Sequence, residues 1–161
     1  MPHDARAIAN WFLEKAKDQG DKLTNMKLQK LVYIAHGWNL ALFEAPLVED
    51  TIEAWQYGPV IPSLYHEFKL WGSGEIKELA ENMFVRADKI YCVPYNAELN
   101  GEEHSLLDEI WKAYGKFSAN QLSRLTHKDG SPWHQVWEEG CRNRPIPNNV
   151  IKAYYKKLAE R

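Results

Sequence analysis

One amphipathic segment limits what this chain can fold into more than any other feature of its sequence. In residues 24–45 the apolar side chains recur every three or four positions over about four helical turns. They are Leu28, Leu31, Val32, Ala35, Trp38 and Leu42. Thr24 or Asn25 can cap the amino-terminal end, and Pro46 is expected to end the helix. The pattern predicts a long helix at the centre of the core.

Six further segments carry helical patterns or helix-capping residues. They begin near residues 5, 62, 101, 118, 131 and 147. Ser118 with Gln121 three positions later forms a capping box, and Ser131 before Pro132 is typical of an N-cap and first turn. This last helix is expected to end at Gly140. The apolar side chains predicted to face the core include Leu64, Phe68, Trp71, Leu122 and Leu125.

One short segment, TIEAWQY, favours a β-strand. Its side chains alternate, with Ile52 and Ala54 on one side and Trp55 and Tyr57 on the other. The Gly58-Pro59 pair that follows is expected to end the strand.

The chain is therefore predicted to be mainly α, a single compact multi-helix domain over residues 1–161 with a small β element around residues 51–57. Residues 75–99 show no clear pattern beyond an irregular strand or two. A chain of 161 residues can bury a sizeable core without a disulfide or a metal. Its two cysteines, Cys92 and Cys141, match no metal-binding or redox spacing.

Composition and charge narrow the possible functions. The net charge of −2 gives no general attraction to nucleic acid. The chain has no signal peptide and no apolar run of about 18 residues, so we expect a cytoplasmic protein without a membrane segment. Seven Trp and eight Tyr are many for this length, and large aromatic side chains are favoured both in cores and at protein interfaces.

The histidines form no recognisable catalytic or metal-binding pattern. A zinc-protease helix needs two histidines four positions apart, and no such pair occurs. Ser131 lies between His127 and His134, but its hydroxyl is expected to cap a helix rather than act as a nucleophile. We therefore expect no metal, no cofactor and no enzymatic activity. The alternative is a hydrolase that uses His127, His134 or His66.

A helix-turn-helix is another alternative, because SANQLSRL and SPWHQVWEEG have suitable lengths for its two helices. The second segment is rich in Trp and ends in EEG, so it offers no Arg, Lys or Asn to base edges. Direct nucleic-acid binding is not expected.

Two proline-stiffened corners carry aromatic side chains. The first, WQYGPV, contains Trp55, Tyr57 and Pro59, and the second, THKDGSPW, contains His127 and Trp133. Rigid backbone lowers the entropy lost when a partner docks, so these five residues are predicted to bind a partner. In the alternative interpretation, Trp55 and Tyr57 pack beneath a helix and the first corner only shapes the fold.

Four blocks of the sequence resemble, in order, the motifs of the Panacea domain. They are LTNMKLQKLVYIAHGWNLAL, EAWQYGPVIPSLYHEF, SANQLSRLTHKDGSPWHQV and IPNNVIKAYYKKL. This is the family of SocA-like and phage-associated GepA-like proteins, and the resemblance spans about residues 8–158.

The resemblance implies an antitoxin that neutralises a cognate protein toxin, encoded nearby, by direct binding. SocA-like members act as adaptors that deliver the toxin to an intracellular protease, which is the alternative mechanism. Many relatives carry an additional terminal module, which we do not expect here. Because motifs shared across many toxins are better explained by folding, partner choice is expected to depend on residues 72–100 or on the basic final helix.

Overall fold

The computed structural model describes all 161 residues and is built mainly from helices, as the sequence predicts. The seven α-helices are α1 (Ala5–Asp18), α2 (Asn25–Phe43), α3 (Pro62–Phe68), α4 (Gly101–Tyr114), α5 (Ala119–Thr126), α6 (Pro132–Val136) and α7 (Asn148–Ala159). None of them combines the length and the apolar composition that crossing a bilayer requires. The five short strands are β1 (Glu53–Trp55), β2 (Gly58–Val60), β3 (Glu81–Arg86), β4 (Lys89–Pro94) and β5 (Arg144–Pro145).

Helix α2 is the central element, as its periodicity predicts. Thirteen of its 19 residues are buried, and α1, α3, α4, α5 and α7 all contact it. Thr24 caps it by accepting a hydrogen bond from the Lys27 N–H. The prediction for Leu42 is wrong: its side chain is 51% exposed, because it lies on the solvent-facing side of the last turn of α2.

The predicted strand is the first half of a hairpin. It ends at Trp55, before the Gly58-Pro59 pair that was expected to end it, and that pair begins β2. β1 pairs antiparallel with β2 through the two-residue turn Gln56-Tyr57, and β5 pairs with the other side of β1. Pro59 lies on an edge strand, where the lack of a backbone N–H is tolerated. Ile52 and Ala54 face the core, and Trp55 is half-buried on the opposite side.

Residues 81–94 form a regular hairpin, β3 with β4, rather than the irregular strands expected there. Its turn residues, Ala87 and Asp88, both have positive φ, 52° and 64°. A turn of this kind usually carries Asn-Gly, so Ala87-Asp88 is not recognisable as a turn from its residue types. Every residue of both strands is exposed, and the usual alternation of buried and exposed side chains is absent.

Three smaller expectations also fail. Leu125 is 37% exposed rather than buried, and Trp71 is only half-buried, in a short 3-10 turn after α3. Helix α6 ends at Val136, before Gly140, because Trp137 leaves the helical region with ψ of 136°. The core is otherwise continuous: 32 buried side chains, drawn from Ala5 to Tyr155, form one cluster.

Candidate functional site

The two predicted aromatic corners lie against each other. The indole N–H of Trp133, on α6, donates a hydrogen bond to the backbone carbonyl of Trp55 at 2.5 Å. The hydroxyl of Ser123, on α5, donates to the backbone carbonyl of Tyr57 at 2.9 Å. The β1–β2 turn is therefore held from two sides by side chains of neighbouring helices. Ser123 and its role were not predicted.

The five predicted partner-binding residues differ in accessibility. Tyr57 lies in the turn and is 66% exposed, whereas Pro59 and Trp133 are buried. Trp55 and His127 are half-buried. The His127 ring contacts the Trp133 ring edge to face, with 5.1 Å between centroids. Exposed atoms of this cluster thus come mainly from Tyr57, with part of Trp55 and His127.

An open cavity of about 550 Å³ adjoins the turn. Its lining includes Trp55, Gln56 and Trp137, and the rest comes from residues 139–143. Trp137 stacks on Trp133, with ring centroids 5.0 Å apart and planes 16° apart. The surface around the turn therefore has a concave region, the cavity, next to the exposed Tyr57 side chain.

Lys30 contacts the same corner from inside the protein, and its role was not predicted from the sequence. Its ammonium group is buried inside the protein and donates a hydrogen bond to the Pro59 carbonyl at 2.9 Å. Desolvation lowers the pKa of Lys30 to about 7. Gly58 passes so close, with φ of 120°, that a Cβ there would lie 3.0 Å from the lysine nitrogen. One signal could have identified Lys30: it is a lysine in the middle of a helix that was predicted to lie at the centre of the core.

These elements occupy the part of the chain that is similar to known proteins. The family described as "Antitoxin SocA-like, Panacea domain" matches residues 28–134, from α2 through the aromatic corner to α6. The chain belongs to this antitoxin family. The match confirms the resemblance on which the sequence interpretation depends.

A relative within this SocA-like family supports the assignment. The chain is 34% identical over 135 residues to Antitoxin SocA of Caulobacter vibrioides (strain NA1000 / CB15N). The aligned region covers 83% of this chain and 70% of that protein. No solved structure matches the chain.

The polar side chains at the two corners of this SocA-like protein form hydrogen bonds with the backbone. The Ser123 hydroxyl lies 3.5 Å from His127 Nδ1 but donates to Tyr57, and His127 Nδ1 hydrogen-bonds the Ser123 carbonyl. Ser131 accepts from the His134 backbone N–H, which confirms its predicted role as the N-cap of α6. No three His, Cys, Asp or Glu side chains are grouped so that they could hold a metal ion. The geometry is that of a turn whose backbone is held by side-chain hydrogen bonds.

Proposed function

We propose that this antitoxin-family protein neutralises a protein toxin, encoded nearby, by binding it directly and without catalysis. The observation that carries the proposal is the exposed Tyr57 at the tip of a turn that Ser123 and Trp133 hold by hydrogen bonds. A large aromatic side chain on fixed backbone loses little entropy on docking, and Tyr is among the residues that dominate binding energy at protein interfaces.

The five predicted residues have different parts in this proposal. Tyr57, Trp55 and His127 supply accessible surface to the toxin. Pro59 and Trp133, which are buried in the isolated chain, position that surface. The cavity beside Trp137, which both aromatic and polar side chains line, would receive a side chain of the toxin, because interface anchors bind in pockets of the partner surface.

We also propose that residues 1–161 form one Panacea-like domain that acts in the cytoplasm. Support comes from the single core cluster, to which α1 contributes Ile8 and α7 contributes Tyr155. A domain that shares one core across its length presents the corner as part of a rigid body.

The test is co-expression with the protein encoded by the neighbouring gene, followed by pull-down, growth rescue and a titration of affinity. Tyr57→Ala should weaken toxin binding by ten-fold or more, with unchanged stability. The matched control is Leu70→Ala, which removes an exposed side chain from the turn after α3.

The outcomes separate the function from the site. If the wild-type protein neither binds nor rescues, toxin neutralisation is wrong. If it rescues while Tyr57→Ala binds equally well, only the placement of the site is wrong. Rescue that disappears in protease-deleted cells would favour the adaptor mechanism, and turnover by the toxin-free protein that His127→Ala abolishes would favour a hydrolase.

A further inference from the structure

The β3–β4 hairpin carries apolar side chains that the rest of the chain leaves uncovered. Residues directly opposite across an antiparallel pair share one face. One face thus presents Met83 beside Cys92 and Val85 beside Ile90, and Met83, Val85 and Ile90 are each 70% exposed or more. An isolated two-stranded hairpin is only marginally stable in water, and exposed apolar patches generally mark interaction sites.

The second face is aromatic near its centre and basic at its tip. Phe84 lies opposite Tyr91, and their rings stack with centroids 5.5 Å apart. One step further, Arg86 lies directly opposite Lys89. Like charges opposite each other destabilise a strand pair, and neither of these two cations forms a salt bridge within the chain.

The root of the hairpin is nevertheless fixed. The buried Asn10 side chain, on α1, donates to the carbonyls of Ala80 and Tyr95, each at 2.9 Å, and accepts from the Ala80 N–H at 2.8 Å. The Arg6 guanidinium lies over the Tyr95 ring, 4.2 Å from its centroid. The hairpin is therefore held in position at its base while both faces stay open. A partner that binds it need not order it from a disordered state.

We infer that the β3–β4 hairpin inserts into an apolar cleft of the toxin whose closed end carries carboxylates that pair with Arg86 and Lys89. This inference rests on the proposed function and names a second contact surface for it. A cleft fits better than a flat surface, because flat docking would cover either the aliphatic face or the aromatic residues of the other face, but not both. The exposed cations at the tip pair with no carboxylate of this chain and complement acidic groups on the partner, since charge complementarity of this kind sets partner choice.

A protein fits these observations better than a nucleic acid does. The aliphatic face of Met83, Val85 and Ile90 offers no donor to a phosphate or a base edge. Only two cations lie at the tip, and the protein carries a net charge of −2.

Two hairpin variants and one control test the inference against the purified toxin. Val85→Thr/Ile90→Thr keeps β-branched residues and removes apolar surface, and it should weaken binding by ten-fold or more. Arg86→Glu/Lys89→Glu should weaken it at least as strongly, and more at 50 mM than at 300 mM salt. The control, Lys22→Glu/Lys116→Glu in the turns after α1 and α4, changes the net charge equally and should stay within about three-fold of wild type. Both control residues are exposed.

Each outcome of these binding measurements either supports or contradicts the inference. Hairpin variants with wild-type thermal stability and weakened binding support the inference. If the wild type binds the toxin and the hairpin variants bind equally well, the inference is wrong while the proposed function stands. The inference is also wrong if the control loses as much affinity, or if the hairpin instead mediates a dimer of this chain that its variants dissolve. Failure of the wild type to bind any toxin overturns both proposals.

Discussion

The indole nitrogen of Trp133 lies 2.5 Å from the backbone carbonyl oxygen of Trp55, which joins helix α6 to the β1–β2 hairpin across 78 positions of the sequence. This hydrogen bond fixes the turn that exposes Tyr57. The contribution of this hydrogen bond to the stability can be measured separately from that of burying the Trp133 ring.

Trp133→Phe keeps an aromatic ring but removes the donor. Leaving a partly buried carbonyl without its partner should lower the free energy of unfolding by about 1–3 kcal/mol. Urea unfolding measures the change, and Trp137→Phe, at the stacked neighbour, is the control. Equal losses in the two variants would show that ring size, and not the hydrogen bond, is responsible.

Lys30 should make the stability rise with pH. Its pKa in the folded protein is about 7, below the ordinary value of about 10.4 in the unfolded chain. Between these values the unfolded chain binds a proton that the folded chain lacks, so raising the pH favours folding. The destabilisation that results from burying Lys30 has its full value below pH 7 and disappears as the pH approaches 10.

The measurement compares wild type with Lys30→Met in urea unfolding from pH 6 to pH 10. Wild-type stability should rise relative to the variant by up to about 1.4 kcal/mol per pH unit above pH 7. Lys17→Met, at an exposed position, controls for the loss of one lysine. A stability difference that is independent of pH would show that the ammonium group is solvated in solution.

His36 should make the protein sensitive to acid. Its ring is buried, with Nδ1 accepting from the Leu47 and Val48 N–H groups at 3.3 Å and Nε2 hydrogen-bonded to Asn148 at 2.9 Å. Desolvation lowers the pKa of His36. The unfolded chain therefore takes up a proton first as the pH falls below about 6.5, and stability is lost from that pH downward.

The stability of wild type relative to His36→Gln should fall by up to about 1.4 kcal/mol per pH unit below pH 6.5. If the variant does not fold, an NMR titration of the His36 ring in the wild type gives the same information. A midpoint at or above 6.5 would contradict the prediction.

Gly37 allows α2 and α7 to approach each other. A Cβ at this position would overlap the ring of Tyr155. Gly37→Ala should therefore destabilise the protein by about 1–3 kcal/mol, as over-packing of a core usually does. Gly101→Ala is the matched control, because a Cβ there meets nothing within 4 Å and alanine favours a helix by up to about 1 kcal/mol. Thermal unfolding of both variants tests the contrast, and a stable Gly37→Ala protein would contradict it.

The candidate site was partly predictable. The residue types at both corners identified Trp55, Tyr57 and Trp133, and the fold brings these residues together. The sequence could not show that Trp133 is buried and Tyr57 exposed, because that depends on which side of the hairpin faces α5 and α6. Lys30 and Ser123 were missed for the same reason, since their partners are carbonyls about 30 and 66 positions away.

Local chemistry was enough to determine where the helices begin. Periodic apolar residues and the caps Thr24, Ser118 and Ser131 act within a few positions of the chain, so the sequence alone predicts them correctly. Tertiary structure alone decided the exposure of Leu42, the burial of Lys30 and the open β3–β4 hairpin. Burial is a property of packing between elements distant in sequence, and side-chain patterns within one element cannot specify which neighbour, if any, covers it.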